Sequence, residues 1–214
     1  MINVLGIIGA GVLGQHIAHY AKLTGDYTDF VFFDDTIEIG TIADKGMVVG
    51  SLNDIPHHIN TEKIQGLLVG IGYNHLHIRE LLFIKYHKAI HFPNIIHQSC
   101  YVDQSVLMGQ GNVLLPGCIL DKGCVVGNNN FFNPGIVMAH DNQLGNHNFL
   151  APGVKFSGFV NTGNKCFIGT GSTIIDNLQI VDNVKVGAGS VITKNITEAG
   201  LYYGAPARII SAIL

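Results

Sequence analysis

The stretch that decides the fold begins at Ile95, and residues 95–136 run IIHQSC-YVDQSV-LMGQGN-VLLPGC-ILDKGC-VVGNNN-FFNPGI. Written six residues to a line, the chain keeps this frame as far as Ile196, for seventeen lines without an insertion. The second position is apolar in every line except one, which holds Thr162. A period of six fits neither the roughly 3.6 residues of a helical turn nor the alternation of a single strand. It predicts a parallel β-helix in which each line forms one strand and one turn, and three lines form one coil.

The third position of the lines favours small residues, which predict where the chain bends. They are Gly109, Gly127, Ala139, Gly145, Ala151, Gly163, Gly169 and Gly187. We expect that a Cβ would be crowded at these places or that φ is positive there, because glycine tolerates both conditions.

The cysteines share a single position of the repeat. Cys100, Cys118, Cys124 and Cys166 all fall in the sixth column. Residues of one column stack or take equivalent places on a coil, whereas zinc ligands and disulfide partners must converge. The pattern therefore predicts small buried packing residues, without a metal site or a disulfide.

Length and composition narrow the class of protein. The chain has 214 residues, a one- or two-domain length, of which 47% are hydrophobic and 13% charged. The formal net charge is −3 and Lys and Arg form no cluster, so we expect no nucleic-acid partner. No apolar run reaches the roughly eighteen residues that a membrane span needs, and the N-terminus lacks the pattern of a signal peptide. We therefore predict a cytoplasmic protein without a membrane span.

The N-terminal part has the layout of a nucleotide-binding unit. A buried strand is predicted for residues 2–9, followed by a Gly-x-Gly-x-x-Gly turn and a helix over 15–24. A second strand, 30–33, ends in the acids Asp34 and Asp35. Glycines at such a turn let backbone N–H groups approach a diphosphate, and the acids accept hydrogen bonds from a sugar hydroxyl or a base.

Only one half of a dinucleotide fold fits before the repeat. The remaining elements are a strand or turn at 46–51, a third strand at 66–72 and a helix at 75–86, which Asn74 is expected to cap. A nicotinamide oxidoreductase needs a second half, and its absence weighs against that class. We predict an α/β Rossmann-like half-domain over residues 1–92.

The second predicted domain, residues 93–214, is the β-helix with a tail. After Ile196 the frame of six fails. We expect residues 200–208 to form a loop and the apolar segment 209–214 to cap the open end of the coils, which otherwise exposes unpaired strands.

One histidine among eleven stands out as a candidate catalytic group. His140 is followed directly by Asp141 at a turn in the middle of the repeat. A carboxylate beside an imidazole fixes its tautomer and stabilises its charged form, which a general base requires. The spacing alone leaves a purely structural histidine equally open.

The whole chain resembles the left-handed β-helix acyltransferases of the nucleotide-amino-sugar N-acetyltransferase and sialic acid O-acetyltransferase family, which act in bacterial surface-glycan and lipopolysaccharide assembly. The motifs that carry the resemblance run from end to end: Gly9-x-Gly11, Phe33-Asp34-Asp35, Gly70-Ile71-Gly72-Tyr73-Asn74 with Arg79, Ile96-His97, Asn133, His140-Asp141, Ala151-Pro152-Gly153, Ser157-Gly158, Gly187-Ala188-Gly189-Ser190 and Gly204-Ala205-Pro206-Ala207. The left-handed sense of the β-helix comes from this resemblance and not from the period.

The resemblance implies transfer of an acyl group from acetyl-CoA, or another short acyl-CoA, to the amine of a nucleoside-diphosphate amino sugar. It implies His140 as the general base, Asp141 as its orienting partner and the N–H of Gly158 as the donor to the oxyanion, with no metal. Binding roles follow in the same way: Gly9 and Gly11 for the diphosphate, Asp34, Asp35, Gly72 and Asn74 for the nucleoside, Asn133 for the acceptor sugar, and Gly158, Gly171, Ala188 and Gly189 for the pantetheine arm between two subunits of a homotrimer.

Two positions depart from the family pattern. Many relatives carry a second histidine where this chain has Phe149, and a histidine in the first glycine loop where it has Leu13. The first difference, Phe149, concerns how the acyl donor is held and which acyl group is preferred.

Two alternative functions remain open. One is an O-acetyltransferase acting on a sugar or sialic acid, and the other is a nucleotide-binding scaffold whose β-helix only trimerises.

Overall fold

The computed structural model describes residues 3–43 and 45–212. The chain forms two compact units, residues 1–97 and 98–214, compared with 1–92 and 93–214 in the division drawn from the sequence. Within the described ranges, no helix has the length and apolar character that crossing a bilayer demands.

The first unit is an α/β sheet. Its strands are β1 (Val4–Ile8), β2 (Asp29–Phe33), β3 (Ile42–Ala43), β4 (Gly46–Gly50) and β5 (Gly66–Val69), and its helices are α1 (Val12–Thr24), α2 (Ile55–Asn60) and α3 (Leu76–Tyr86). The strand order is β3-β4-β2-β1-β5, parallel throughout except for β3 against β4. Central parallel strands are apolar on both faces, and Ile7, Phe32 and Leu67 are fully buried. The predicted Rossmann-like half-domain is confirmed.

Details of the first unit differ from expectation. Helix α1 begins directly after Gly11 rather than at residue 15, and β5 ends at Val69. The capping role predicted for Asn74 is wrong, because Asn74 lies inside a 3₁₀ turn, and His75 precedes α3 without a side-chain cap. Helix α2 and strand β3 were not predicted. Their segments are too short to show a period, although a proline in the first turn of α2 is a helix-start signal.

The repeat folds as the period of six predicts. Its strands are β6 (Ile95–Ile96), β7 (Tyr101–Val102), β8 (Leu107–Met108), β9 (Val113–Leu114), β10 (Ile119–Leu120), β11 (Val125–Val126), β12 (Phe131–Phe132), β13 (Val137–Met138), β14 (Gln143–Leu144), β15 (Phe149–Leu150), β16 (Lys155–Phe156), β17 (Asn161–Thr162), β18 (Phe167–Ile168), β19 (Thr173–Ile174), β20 (Gln179–Ile180), β21 (Val184–Val186) and β22 (Val191–Ile192). From β7 to β19, each strand pairs in parallel with the strand three further along, as in Ile119 with Val137 and Val137 with Lys155. Three lines therefore make one coil of a parallel β-helix.

The turns use a different column from the one expected. Within the described residues, positive φ in the repeat falls at the fifth position, for example +75° at Gly117 and +54° at Asn129. The expectation of positive φ at the third position is wrong, but the expectation of crowding there is confirmed. A Cβ on Gly127 would stand 2.6 Å from Asn146 Oδ1 and 2.7 Å from the carbonyl oxygen of Gly145.

The cysteines are packing residues, as predicted. Cys118, Cys124 and Cys166 are buried, Cys100 is half-buried, and all four are free thiols. Burial raises the pKa of Cys166 to about 12, so its thiol stays protonated and unreactive near neutral pH.

The C-terminal tail is a hairpin, so the prediction of a loop over 200–208 is wrong. Strand β23 (Gly200–Gly204) pairs in parallel with β21, and β24 (Ala207–Ala212) pairs with β23 in the antiparallel sense. The run Leu201-Tyr202-Tyr203 has high strand propensity once a neighbouring edge is available. The hairpin covers the edge of β21. Of the segment 209–214 that was expected to cap the coils, residues 213–214 lie outside the described residues.

Thr162 provides a test of how the interior is packed. Its side chain is 2% exposed, and its Oγ1 has no hydrogen-bond partner within residues 3–43 and 45–212. A buried hydroxyl without a partner costs roughly 1–3 kcal/mol, so we expect Thr162→Val to raise the free energy of unfolding by about 1 kcal/mol. Chemical denaturation measures the change. Thr173→Val, at an outward first position, is the control and should change stability by less than about 0.5 kcal/mol. Equal or lower stability of Thr162→Val would show that the hydroxyl is satisfied.

Candidate active site

The turns of the β-helix stack into three edges, because equivalent residues lie eighteen positions apart. The fourth-position residues define them. The Pro edge carries Pro116, Pro134 and Pro152; the His edge carries Lys122, His140 and Gly158; the Asn edge carries Asn128, Asn146 and Asn164. The Pro and Asn edges each repeat one residue type over these three coils, whereas the His edge changes from coil to coil.

His140 and Asp141 form a hydrogen-bonded pair on the His edge. Nδ1 of His140 lies 3.0 Å from Oδ2 of Asp141, and the two side chains are 50% and 46% exposed. Asp141 adopts φ +57°, and its N–H donates to the carbonyl of Lys122 at 2.8 Å, which holds the turn. A carboxylate only accepts, so Nδ1 carries the proton and the lone pair remains on Nε2. The pair has the arrangement of a general base with an orienting carboxylate.

Gly158 stands directly above His140 in the next coil. A Cβ at this position would lie 2.7 Å from Cε1 and 2.8 Å from Nε2 of His140, so only glycine accommodates the ring. The ring of the next residue, Phe159, meets the imidazole edge to face, with the ring centroids 5.0 Å apart. The imidazole of His140 therefore contacts both Gly158 and Phe159.

The N–H of Gly158 lacks the hydrogen bond that its equivalents on another edge make. On the Asn edge the equivalent N–H groups of Asn128 and Asn146 each donate to a side-chain oxygen of the next coil at 2.8 Å. The N–H of Gly158, a buried residue, donates to no acceptor in the described part of the chain. Buried orphan N–H groups are rare in folded proteins. One beside a candidate base has the character of an oxyanion donor.

The residues that the resemblance assigns to the donor are divided between two edges. Gly171, Ala188 and Gly189 stack on the Pro edge, and both glycines have φ +67° and open space around Cα. Asn133 also lies on the Pro edge, where its Nδ2 donates to the carbonyl of Leu150 at 2.9 Å. A single chain thus keeps these four residues on a different edge from His140, Asp141 and Gly158.

The first unit holds a cavity of about 260 Å³ at the carboxyl ends of β1 and β2. It is lined by Ile8, Gly9, Phe33, Asp34, Asp35, Thr36, Leu52, Ile71 and Ile78. In open α/β sheets, ligands bind at this end of the strands. Of the predicted nucleotide residues, Gly9, Asp34 and Asp35 line the cavity, whereas Gly11, Gly72 and Asn74 belong to the flanking turns.

The two adjacent acids differ in how their oxygens are used. Asp34 Oδ2 accepts from the N–H of Ala10 at 2.9 Å, and Oδ1 accepts from the N–H and hydroxyl of Thr36. Partial burial alone would raise the pKa of Asp34, but these hydrogen bonds outweigh it and hold the pKa below its usual value. Asp35 accepts one N–H, from Leu52 at 2.9 Å, through Oδ1. Its Oδ2 has no hydrogen-bond partner in the described ranges, so Asp35 is the acid with capacity for a ligand.

Sequence reasoning missed Phe159. Its φ is +58°, the conformation that recurs at the fifth position of the repeat, and such a value is uncommon for a bulky aromatic residue. The signal was in the repeat, since the fifth position otherwise favours glycine, asparagine and small polar residues. Among the described residues, no group of three or more His, Cys, Asp or Glu has the arrangement of a metal site.

Comparison with known proteins yields matches to both units. The PglD N-terminal domain family matches residues 4–84. The acetyltransferase domain of PglB from Neisseria gonorrhoeae superposes with a TM-score of 0.90 at 27% identity, covering 97% of this chain and 100% of that one, and it also occurs in complex with acetyl coenzyme A. Over nearly its whole length the chain is similar to acetyltransferases built on a β-helix. Its β-helix is accordingly left-handed, and the predicted fold class is confirmed.

Two further structures resemble this acyltransferase over its full length. A mutant of GDP-perosamine N-acetyltransferase from Caulobacter crescentus, bound to CoA and GDP-perosamine, has a TM-score of 0.87 at 27% identity, covering 98% and 97% of the two chains. WeeI from Acinetobacter baumannii has a TM-score of 0.83 over 97% and 99% of the chains, and at 24% identity it supports the fold alone. No curated protein sequence matches the acyltransferase.

Proposed function

We propose that this acyltransferase moves the acyl group of acetyl-CoA, or another short acyl-CoA, to the amine of a nucleoside-diphosphate amino sugar. The observation that carries the proposal is the His140–Asp141 pair opposite the orphan N–H of Gly158. Relatives that bind acetyl coenzyme A, or CoA together with GDP-perosamine, support the choice of donor and acceptor. The reaction belongs, on the family resemblance, to surface-glycan assembly in the cytoplasm.

The chemistry assigns each group one task. The amine nitrogen attacks the thioester carbon, the C–N bond forms, and Nε2 of His140 takes the proton that the nitrogen loses. Asp141 stabilises the imidazolium through its bond to Nδ1. The N–H of Gly158 donates to the oxygen that becomes negative. When the C–S bond breaks, the thiolate of CoA leaves and receives the proton from the imidazolium.

The cavity in the first unit favours a nucleotide-linked acceptor. It lies beside the glycine turn at the end of β1, and Asp35 offers one uncommitted carboxylate oxygen. A free sugar or sialic acid would leave this site without a role. O-acetylation of such a sugar is the second candidate function, because His140 can deprotonate a hydroxyl as well as an amine.

We propose a homotrimer with the donor bound between subunits. Gly158 lies on a different edge of the β-helix from Gly171, Ala188 and Gly189, and a donor bound between the edges of two neighbouring chains can meet all four. A closed ring with threefold symmetry completes every such site. Sedimentation of active protein at micromolar concentration should show a trimer, and a fully active monomer would contradict the shared site.

A thiol-release screen tests the function. Short acyl-CoA donors are combined with nucleoside-diphosphate amino sugars, and the free thiol is followed with a colorimetric reagent. We expect release that depends on the acceptor amine. Release only with free sugars or sialic acid would favour O-acetylation, and no release with any acceptor would favour a binding scaffold.

Substitution of Asp35 tests whether the acceptor binds in the first unit. We expect Asp35→Ala to weaken acceptor binding by about tenfold, the effect of one hydrogen bond to a charged group, and to leave acyl-CoA binding unchanged. Calorimetric titration measures both affinities. Asp34→Ala is the comparison, and it should lower the stability of the glycine turn because its carboxylate is bonded to Ala10 and Thr36. A fall in donor affinity on Asp35→Ala would contradict the assignment.

A further inference from the structure

Asn142 lies at the sixth position of the line that carries His140, and its side chain is fully buried. Its Nδ2 donates to the carbonyl of Ala139 at 2.5 Å and to the carbonyl of Ser157 at 2.9 Å. Its Oδ1 accepts from the N–H of Val160 at 2.9 Å. The amide therefore links the turn of His140 to the two ends of the turn that contains Gly158.

An amide at this place occurs in only one coil of the His edge. The other sixth-position residues of that edge are Val106, Cys124, Val160, Leu178 and Ile196. The Asn edge, by contrast, carries a continuous ladder of Asn112, Asn130 and Asn148. Donation from the sixth position to the carbonyl fifteen residues on is general in the repeat, as from Cys124 to Ala139. Among the described residues of the His edge, only Asn142 also accepts the N–H of the sixth position above it, which points to a local need.

The backbone link between the same two turns is the longest of its kind. The N–H of Phe159 donates to the carbonyl of His140 at 3.2 Å, and equivalent bonds elsewhere in the repeat measure 2.8 to 3.0 Å. Where the backbone bond is longest, the side chain of Asn142 adds further hydrogen bonds between the two turns.

We propose that Asn142 is a positioning residue that holds the imidazole of His140 at a fixed distance from the N–H of Gly158. It touches no reacting atom and acts through the two turns. Without it, the turn of His140 relaxes, the bond from Nδ1 to Asp141 loosens, and Nε2 moves away from the oxyanion donor. The catalytic part of this inference rests on the proposed function, whereas the structural part does not.

The test compares Asn142→Val with Asn148→Val. Valine already occupies the Asn142 place in neighbouring coils, so the fold accommodates it. Asn148 is the matched control, because it is equally buried, its Nδ2 donates to the carbonyl of Gly163 and its Oδ1 accepts from the N–H of Cys166. We expect both variants to lose similar stability. We expect kcat to fall by about 10- to 100-fold only in Asn142→Val, with KM nearly unchanged, since misplacement by about 1 Å has such an effect.

The second readout is the tautomer of His140, which does not depend on turnover. Nitrogen-15 NMR spectra of protein labelled at its histidines show the tautomer of each ring. The resonance of His140 is identified as the one that is absent from the spectrum of His140→Gln. The fraction with the proton on Nδ1 should fall in Asn142→Val and stay unchanged in Asn148→Val. An unchanged tautomer, or an equal loss of kcat in both variants, would overturn the inference.

If wild-type protein shows no thiol release, the proposed function fails, while the tautomer comparison still decides about Asn142. Should Asn142→Val not fold, Asn142→Cys replaces it, with Cys124 as the precedent one coil below.

Discussion

Replacing His140 with alanine is expected to lower kcat by about 10²- to 10⁴-fold, the range of general-base assistance. KM should change little, because the imidazole acts on a proton that moves only in the transition state. Asp141→Asn should have a smaller effect, since it removes the negative charge beside Nδ1 but leaves the base. Steady-state rates of both variants with a nucleotide amino sugar measure the two effects.

An account without a base makes a different prediction for the same variants. A sugar amine that is already unprotonated needs only positioning and the N–H of Gly158. His140→Ala would then keep most of its activity above the pKa of the amine. Rate profiles over about pH 6 to 9, the range in which imidazoles and such amines titrate, separate the accounts. A variant profile that follows the substrate alone, at near wild-type rates, would remove His140 from the mechanism.

Gly158→Ala is expected to lower kcat by about 10²-fold, the effect of a misplacement near 1 Å. The added Cβ would lie 2.7 Å from Cε1 of His140, and the ring is the group that must move because it ends a half-exposed side chain. The backbone of Gly158 has no positive φ among the described residues, so the substitution adds no backbone strain. Folding should be retained, as thermal unfolding will show.

A double-mutant cycle shows whether the loss acts through the imidazole. In the His140→Ala background, Gly158→Ala should lower kcat by less than about threefold, because the ring that it displaces is gone. Full additivity would mean that the methyl group blocks the donor or disturbs the oxyanion contact directly, and that the crowding of His140 is incidental.

The β-helix could be predicted because its signal accumulates over many equivalent lines. Each line repeats one demand, an apolar residue that points inward, as Leu114 and Leu120 do. Helix α2 and the hairpin of β23 and β24 occur once each. Strand β23 forms because β21 offers an edge, which is a tertiary condition that no local pattern contains.

The candidate site could be predicted in part. The pair His140-Asp141 is adjacent in sequence, and Gly158 was named by the family resemblance. The structure places Gly158 one coil above His140. The different tasks of Asp34 and Asp35 could not be foreseen, because they depend on which carboxylate meets the N–H of Ala10 across two strand ends. The orphan N–H of Gly158 likewise required coordinates.

The most direct measurement is the chemical identity of the product formed from acetyl-CoA and a nucleoside-diphosphate amino sugar. Mass spectrometry should find one acetyl group on the intact nucleotide sugar for each thiol released. The product should resist neutral hydroxylamine, because an amide survives a treatment that cleaves an ester, and the same nucleotide sugar with a hydroxyl in place of the amine should be inert. A hydroxylamine-labile product, or equal turnover of the hydroxyl analogue, would contradict N-acyl transfer as the function of this chain.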